Sequence, residues 1–370
     1  MGLVLVSHEC RALDFAAGSL ATQGCPRGAP QLHISAAAYL EPAPVLYATR
    51  YGGRYFEPAA GNNIGIGVAF AELSTRLGAF CLGWVAREEW EGHASQDLLD
   101  AVVANHGGKP FETGRVYRLA YQLQMFQADG IRLHRTVTLL QFADMSLRLG
   151  IGITLLKATE GRQEWGYGAA MATSADFAIG TATWMRIDDP YSKSSFNSFV
   201  GVPHPVGWGY ASDLEFQADF RSGTSAVLVI MDPESRIYWR DIAQSVRFFN
   251  DATVSYNADL NRNALETGVD RRINDVQRLP VKYRASLAQR IGRHWQAQFS
   301  DSLVEGYHFP SLAARYGSAD RFAGPTFDIR TRALGISARW RWVQVSAASN
   351  RLSLSEATAL AVSVQFSRLW

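Results

Sequence analysis

Residues near the end of the chain alternate strictly between two kinds of side chain. The first row is bulky and mostly apolar: Thr358, Leu360, Val362, Val364 and Phe366. The second row is small or polar: Ala359, Ala361, Ser363, Gln365 and Ser367. A period of two predicts a β-strand with one face in an apolar environment and the other in a polar one. The chain then ends at Trp370.

The same alternation recurs over long stretches in the middle of the chain. It runs uninterrupted through 145–156 and through 208–220, where aromatic residues lie at both ends of the apolar row. Globular strands usually have about five or six residues, whereas a strand that crosses a bilayer needs about 9–11. Length and aromatic ends therefore favour membrane-spanning strands. We predict sixteen strands: 64–71, 78–86, 115–126, 131–141, 145–156, 165–173, 177–187, 208–220, 225–231, 236–242, 253–261, 281–291, 294–300, 326–338, 341–348 and 357–370.

The last strand, with its aromatic final residue, resembles the C-terminal assembly signal of Gram-negative outer-membrane β-barrels. Phe366 and Trp370 are the signal residues, and Arg368 departs from the pattern because the family usually has an apolar residue there. The resemblance covers roughly residues 60–370. It implies an all-β fold, a single closed antiparallel transmembrane barrel of about 16 strands within a range of 12–18. It also implies location in the bacterial outer membrane, with the lipid bilayer, lipopolysaccharide and the barrel-assembly machinery as partners.

The connections between the predicted strands fall into two length classes. Tight turns are predicted at 142–144, 174–176, 221–224 and 292–293, and longer loops at 157–164, 188–207, 262–280 and 310–325. Short periplasmic turns and long extracellular loops are typical of outer-membrane barrels. Counting strands back from a periplasmic C-terminus puts the short turns on the periplasmic side.

Two segments do not follow the strand pattern. The sequence predicts a short helix at 94–105, capped by Ser95. The strand count puts this helix at the periplasmic rim, where connections should be short. Either one strand upstream is miscounted, or the helix is a small plug, a lid or an insertion packed against the rim.

We divide the chain into an N-terminal segment, residues 1–60, that is a tether, a plug or the first strands, and a barrel, residues 61–370. Residues 1–7 are apolar but too short for the signal peptide that an exported protein needs. This leaves open a removed signal, a misassigned start or a different location.

Composition agrees with a barrel. Charged residues are 19% and aromatic residues 12%, with 10 Trp, which is typical of a barrel with aromatic girdles. The net charge of +2 argues against nucleic acid as a partner. Three cysteines are too few for a disulfide scaffold: Cys10 and Cys25 are a possible pair, and Cys81 is predicted to be a small buried residue.

If the bulky rows face lipid, the opposite rows face the lumen. The predicted lumen-lining residues are Arg118, His134, Arg148, Asp213, Glu215, Asp219, Lys282, Arg284, Arg330 and Arg332. One wall would be acidic and the later strands basic. Opposed charges across water would select polar solutes, whereas the alternative is that they pair and fill the lumen as internal salt bridges.

The function predicted from these features is a channel or carrier for small polar or amphipathic solutes. The alternative is a non-conducting barrel that serves as structural or export partner of an envelope assembly for polysaccharide or conjugation. We expect no enzymatic activity, because no catalytic signature is present. The residue types of an outer-membrane hydrolase site occur together in one loop, which contains Asp188, Asp189 and His204. The Asp-Asp-Pro sequence in this loop favours a turn over such a site. No cofactor and no metal site are expected, since the eight histidines are scattered.

Overall fold

The computed structural model describes residues 15, 29–46, 56–105, 109–175, 177–180, 183–189, 206–256, 262–318 and 320–367. The predicted strands at 253–261 and 357–370, the predicted loop 188–207 and the signal residue Trp370 lie partly or wholly outside these residues. Within the described residues, no helix is long and apolar enough to cross a membrane.

The described chain forms β-strands and one helix. The strands are β1 (Gln31–Leu40), β2 (Asn62–Leu77), β3 (Phe80–Ser95), β4 (Val116–Gln141), β5 (Met145–Ser174), β6 (Phe177–Gly180), β7 (Thr183–Asp189), β8 (Gly207–Phe220), β9 (Thr224–Met231), β10 (Arg236–Tyr256), β11 (Arg262–Arg278), β12 (Lys282–Ile291), β13 (Trp295–Val304), β14 (Tyr307–Gly317), β15 (Arg321–Asp328), β16 (Leu334–Trp340), β17 (Val343–Ser349) and β18 (Ala359–Phe366). Helix α1 spans Gln96–Asn105.

All strands belong to one antiparallel sheet, and the sheet closes on itself. β1 pairs with β2 on one side and with β18 on the other, so no free edge remains there. β6, β7 and β8 pair in turn with successive parts of β5, β9 continues into β10, and β11 continues into β12. Counted as continuous crossings, the wall has 14 strands. The predicted closed antiparallel barrel is confirmed, and its predicted strand number is slightly too high but within the stated range.

Two predicted chain reversals within the wall are wrong. Residues 115–126 and 131–141 form the single strand β4, and 145–156 and 165–173 form the single strand β5. A β-bulge opposite Gln127 and Ala128 absorbs Thr159, the extra residue of β5, so the predicted loop 157–164 stays extended. The predicted loop 262–280 is largely strand β11, and 310–325 belongs mostly to β14 and β15. Conversely, the predicted strand 326–338 is interrupted by the turn at 329–333.

The barrel has a terminal end, which holds Gln31 and Phe366, and a distal end opposite to it. Connections 78–79, 142–144, 221–223, 292–294 and 341–342 lie at the terminal end and are all short. The longer connections 41–61, 96–115 and 350–358 lie at the distal end, together with the short turns 175–176 and 305–306. Helix α1 is therefore at the distal end, and its predicted place at the short-turn rim is wrong, because an odd number of crossings follows it.

Residues 31–40 form a wall strand, so the barrel begins before residue 61. Large apolar side chains project from the outer face: Ile151, Ile153 and Leu155 of β5 are 45%, 54% and 66% exposed. The residues between them face the interior, where Thr154 and Leu156 are buried. This arrangement reverses that of a soluble protein, since the apolar face is outside and the polar face is enclosed.

Candidate functional site

The alternation along the wall strands turns a group of charged side chains into the middle of the barrel. We call this group the charge layer; it comprises Glu72, Arg87, Glu89, Arg132, Asp213, Asp232 and Lys282. Each of these residues is 5% exposed or less. A buried charge is tolerated only when it is paired with a charge of opposite sign. The members of the charge layer pair with one another in two groups, one around Arg132 and the other around Arg87 and Lys282.

Arg132 of β4 connects strands on both sides of it. Its Nη1 donates to Glu72 Oε2 of β2 at 3.0 Å, and its Nη2 donates to Asp213 Oδ2 of β8 at 2.6 Å. The second contact passes over Gly152 of β5, where a Cβ would lie 3.3 Å from both Arg132 Nη2 and Asp213 Oδ2. Glycine at this position therefore leaves the room that the guanidinium needs. His134 lies next to the same site, with its Nε2 3.8 Å from Glu72 Oε1.

The other half of the charge layer spans the interior. Arg87 of β3 donates to both carboxylate oxygens of Asp232, which follows β9, and to Glu89 Oε1 at 2.7 Å. Lys282 of β12 donates to Glu89 Oε2 at 2.6 Å and lies 3.5 Å from Asp232 Oδ2. In the sheet β3 pairs with β2 and β4, whereas β12 pairs with β9 and β13. The Lys282–Glu89 contact therefore joins non-adjacent parts of the wall and closes the interior at this height.

An apolar layer lies on the distal side of the charge layer. On one side it consists of Ile64, Ile66, Val68, Val304 and Phe309, with Phe15 packed among them. On the other side it consists of Phe126, Leu156, Ile237, Trp239 and Leu279. A cavity of about 10 Å³ lies between Ile66, Phe126, Glu89 and Lys282, which is about the volume that one water occupies. Between these four residues the interior leaves room for about one water.

The N-terminal segment reaches this interior. Phe15 is fully buried, and its ring centroid lies 4.8 Å from that of Phe309, an inward residue of β14. Cys81, an inward residue of β3, is buried as the sequence predicts, and it is also disulfide-bonded. Cys10 and Cys25, the possible pair considered from the sequence, lie outside the described residues.

A polar layer fills the terminal side of the barrel. Arg148 Nη2 donates to Asp219 Oδ2 at 2.7 Å, and both side chains are partly exposed. Further along the wall, Arg315 donates to Gln298 Oε1 at 3.2 Å. The Arg148–Asp219 pair is in contact with solvent, unlike the charge layer, whereas Arg315 and Gln298 are buried.

The distal end carries a separate charge cluster around helix α1. Arg115 Nη2 donates to Asp97 Oδ1 at 2.6 Å and to Asp100 Oδ2 at 3.0 Å, and its guanidinium lies over the Tyr117 ring. The backbone N–H of Arg118 donates to Asp97 Oδ2 at 2.9 Å. This backbone bond, with help from Arg115, lowers the pKa of the Asp97 carboxyl below its ordinary value.

The predicted lumen residues occupy different places. His134, Asp213, Glu215, Lys282 and Arg284 are inward and buried at mid-barrel. Arg148 and Asp219 belong to the terminal polar layer. Arg118 is exposed near the distal start of β4, and Arg330 and Arg332 lie in the turn between β15 and β16.

The predicted lumen-lining residues leave out five of the seven members of the charge layer. Arg132 is one of them, although it lies within the predicted strand 131–141. Arg87 and Glu89 lie beyond residue 86, where the predicted strand stopped, although alternation continues through β3 to Ser95. Glu72 lies one residue beyond the predicted strand 64–71. Asp232 has a positive φ of 58° in the connection after β9, and no periodic signal marks it. Among the described residues, no group of three His, Cys, Asp or Glu side chains could hold a metal ion.

No protein-family model matches the sequence, and no curated protein matches it. Among solved structures, the toluene transporter TbuX of Ralstonia pickettii is 9% identical, with 93% of this chain and 90% of that chain covered and a TM-score of 0.45. The P. putida toluene transporter TodX is 9% identical over 92% of this chain and 88% of that chain, with a TM-score of 0.42. A TodX variant described as a monoaromatic hydrocarbon channel is 8% identical over 92% and 89%, with a TM-score of 0.43.

Proposed function

We propose that this protein is an outer-membrane β-barrel that admits small apolar or amphipathic solutes and keeps ions out. The observation that carries the proposal is the order of layers in the interior. A solute that enters from the distal end reaches the apolar layer before the charge layer, which is paired and closed. An apolar layer receives apolar solutes at low cost, whereas hydrated ions would lose their water there.

The outer face supports a membrane location. Exposed aromatic residues lie at the terminal-end turns: Phe80, Phe142, Phe220, Trp295, Trp340 and Trp342. Aromatic side chains favour the interface between hydrocarbon and water, and barrels carry them as girdles. Above this ring the outer face is apolar, as the exposed Ile151, Ile153 and Leu155 show. A closed barrel with this surface satisfies its backbone hydrogen bonds without water.

This proposal changes the solute class expected from the sequence. The sequence predicts small polar or amphipathic solutes, because it shows charged inward residues without their partners, and the proposal replaces the polar class by an apolar one. In the folded barrel Lys282 and Arg87 are paired with carboxylates and are 2% and 5% exposed. Charges in this state present no free site to a polar solute, so the apolar layer is the better candidate for contact with cargo.

Entry of an apolar dye into Gram-negative cells tests the proposal. Cells that express the protein should take up N-phenylnaphthylamine faster than cells that do not, and should take up the sugar raffinose no faster. Ile66→Gln puts an amide into the apolar layer and should slow dye entry, because an unpaired amide there disfavours apolar contact. The matched control is Ile34→Gln, which changes an outward residue of β1 that is 47% exposed.

Uptake is to be normalised to the amount of folded barrel, measured from the gel shift between unheated and boiled samples. Dye entry that is unaffected by the protein would contradict the proposal and favour the non-conducting alternative. Faster entry of raffinose than of dye would also contradict it, because it would indicate an aqueous pore.

A further inference from the structure

The outer face of the barrel carries a large groove near the distal end. Its volume is about 950 Å³, at the upper end of the range of small-ligand pockets, which is about 300–1,000 Å³. The floor is formed by outward residues of adjacent wall strands: Ala36 and Ala38 of β1, Gly67 and Ala69 of β2, Ala347 of β17 and Val362 of β18.

The groove follows from side-chain size. The outward residues of its floor are mostly alanine and glycine, whereas bulky residues line its two sides. Trp90 of β3 lies over Gly67, where a Cβ would be only 1.9 Å from Trp90 Nε1. Leu334 and Ile336 of β16 form the other side and are 67% and 61% exposed.

The groove is a depression in the surface and not a gap in the wall. β1 pairs with β18 from Leu32↔Phe366 to Tyr39↔Ala359 without a register shift. It pairs with β2 from Gln31↔Ser74 to Leu40↔Gly65, also without a shift. The backbone is therefore continuous beneath the groove, and a molecule bound there would lie on the lipid-facing side of the barrel.

The distal connections add an apolar upper margin. Leu352 is fully exposed, and Leu354 and Leu46 are 58% and 48% exposed; all three line the groove. Exposed leucines in a loop next to an apolar depression lose their contact with water when a hydrocarbon chain lies between them. The shape and the lining therefore fit acyl chains that run along the strands.

Two arginines lie at the distal mouth of the groove. Arg332, in the turn before β16, and Arg351, in the connection before β18, are both exposed and line it. Neither forms an ion pair with another described residue. Glu88 of β3 is the acidic residue of the lining. Guanidinium groups bind phosphate through paired hydrogen bonds, so this mouth is suited to a phosphorylated headgroup above acyl chains.

We propose that this groove binds the phosphorylated glycolipid of the outer leaflet, with its acyl chains along the alanine floor and a phosphate on Arg332 and Arg351. The choice of lipid rests on the proposed function, since only an outer-membrane barrel meets this glycolipid. The distal end then faces the leaflet that contains it, because the longer connections of such barrels lie on the outside.

Lipid retention by the purified barrel tests this inference. The probe is bisphosphoryl lipid A added to the detergent-solubilised protein, and binding is measured by native mass spectrometry. Arg332→Gln with Arg351→Gln should weaken binding by about tenfold per arginine, which corresponds to about 1.4 kcal/mol for each lost phosphate contact. Ala69→Leu with Ala347→Leu should weaken it by filling the floor. The matched control is Arg221→Gln with Arg293→Gln, which removes two exposed arginines at the terminal end.

Dephosphorylated lipid A and phosphatidylglycerol serve as comparison lipids. Preference of the native barrel for bisphosphoryl lipid A, lost in the arginine variant and kept in the control, is the expected result. Equal binding of phosphatidylglycerol would overturn the inference in favour of a phospholipid, and equal losses in both arginine pairs would reduce it to non-specific charge attraction. Dye entry is measured on the same variants: lipid binding without dye entry contradicts only the proposed function, and dye entry without lipid binding contradicts only this inference.

Discussion

Arg132 shows how a single residue organises the interior. It is 1% exposed and lies between two carboxylates from strands on either side of its own. If the guanidinium is removed, Glu72 and Asp213 remain enclosed without a cation between them. Breaking a buried pair in this way costs far more than the pair contributes relative to an apolar replacement.

Arg132→Met should therefore lower the free energy of unfolding by about 3–5 kcal/mol, measured by urea titration in detergent. Adding Glu72→Gln and Asp213→Asn to it should recover part of the loss, because no unpaired charge is left. Arg135→Met on the same strand is the control: Arg135 is exposed on the outer face over the Phe80 ring and should cost less than about 1 kcal/mol. Equal losses at the two positions would mean that the charge layer has no special role in stability.

At the scale of elements, alternation predicted strands best where one face is apolar. In the parts of β4 and β5 towards the distal end the outward row is polar, as in Gln127, Asp129, Lys157 and Glu160, whereas inward Phe126 and Leu156 are apolar and buried. Polar residues in the outward row resemble a loop in the sequence, so a reversal is predicted where each strand continues. Most of β11 is also rich in polar residues, and the sequence predicts a loop there for the same reason. Strand continuity in this region depends on pairing with neighbours, and a single-sequence pattern does not contain that information.

Helix α1 should respond to pH through Asp97. The pKa of the Asp97 carboxyl is lower in the folded protein than in the unfolded chain. The contacts of the Asp97 carboxylate therefore hold helix α1 against β4 at full strength above the ordinary carboxyl pKa of about 4. This contribution is lost as the pH falls through the lower, folded-state pKa. Proteolytic cleavage within 96–115 should therefore be constant from neutral pH to about pH 5 and should increase below about pH 4.

Asp97→Asn should remove this dependence on pH, whereas Arg115→Gln should only reduce it, since the backbone N–H of Arg118 still binds the carboxylate. Arg221→Gln, which removes an exposed arginine at the terminal end, serves as the control. A pH profile that is unchanged in Asp97→Asn would show that another group controls the docking of the helix.

At the scale of the whole molecule, the outer face distinguishes a membrane barrel from a soluble one. Ile151→Arg replaces an outward side chain that is 45% exposed and pairs with Leu214, midway along β8. In water this change would be neutral or would improve solubility, but in a bilayer an arginine on the lipid face costs about 2–4 kcal/mol near mid-depth. We expect less folded barrel in the membrane, measured by the gel shift on heating. Asp144→Arg, in a turn at the terminal end, should leave the amount unchanged; an equal amount for Ile151→Arg would contradict the membrane location.

The barrel and the direction of its inward rows follow from the sequence, but the pairs within the site do not. Period-two alternation along their strands shows that Glu89 and Lys282 both face the interior. However, 193 residues separate them along the chain. Their contact depends on how many strands lie between them around the wall and on the stagger of those strands. An error in strand number therefore changes every predicted contact across the interior, even when each strand's facing is right.

The charge layer closes the barrel to ions in this account. Measurement of ionic conductance in planar bilayers tests this claim most directly. The native protein should show no steady conductance above that of the bare bilayer. Replacing Arg87, Glu89, Asp232 and Lys282 together by alanine removes the paired side chains that span the interior and should open an ion-conducting path. A native protein that conducts steadily, with selectivity that shifts when Asp213 or Arg284 is neutralised, would contradict this account and would show an open aqueous lumen.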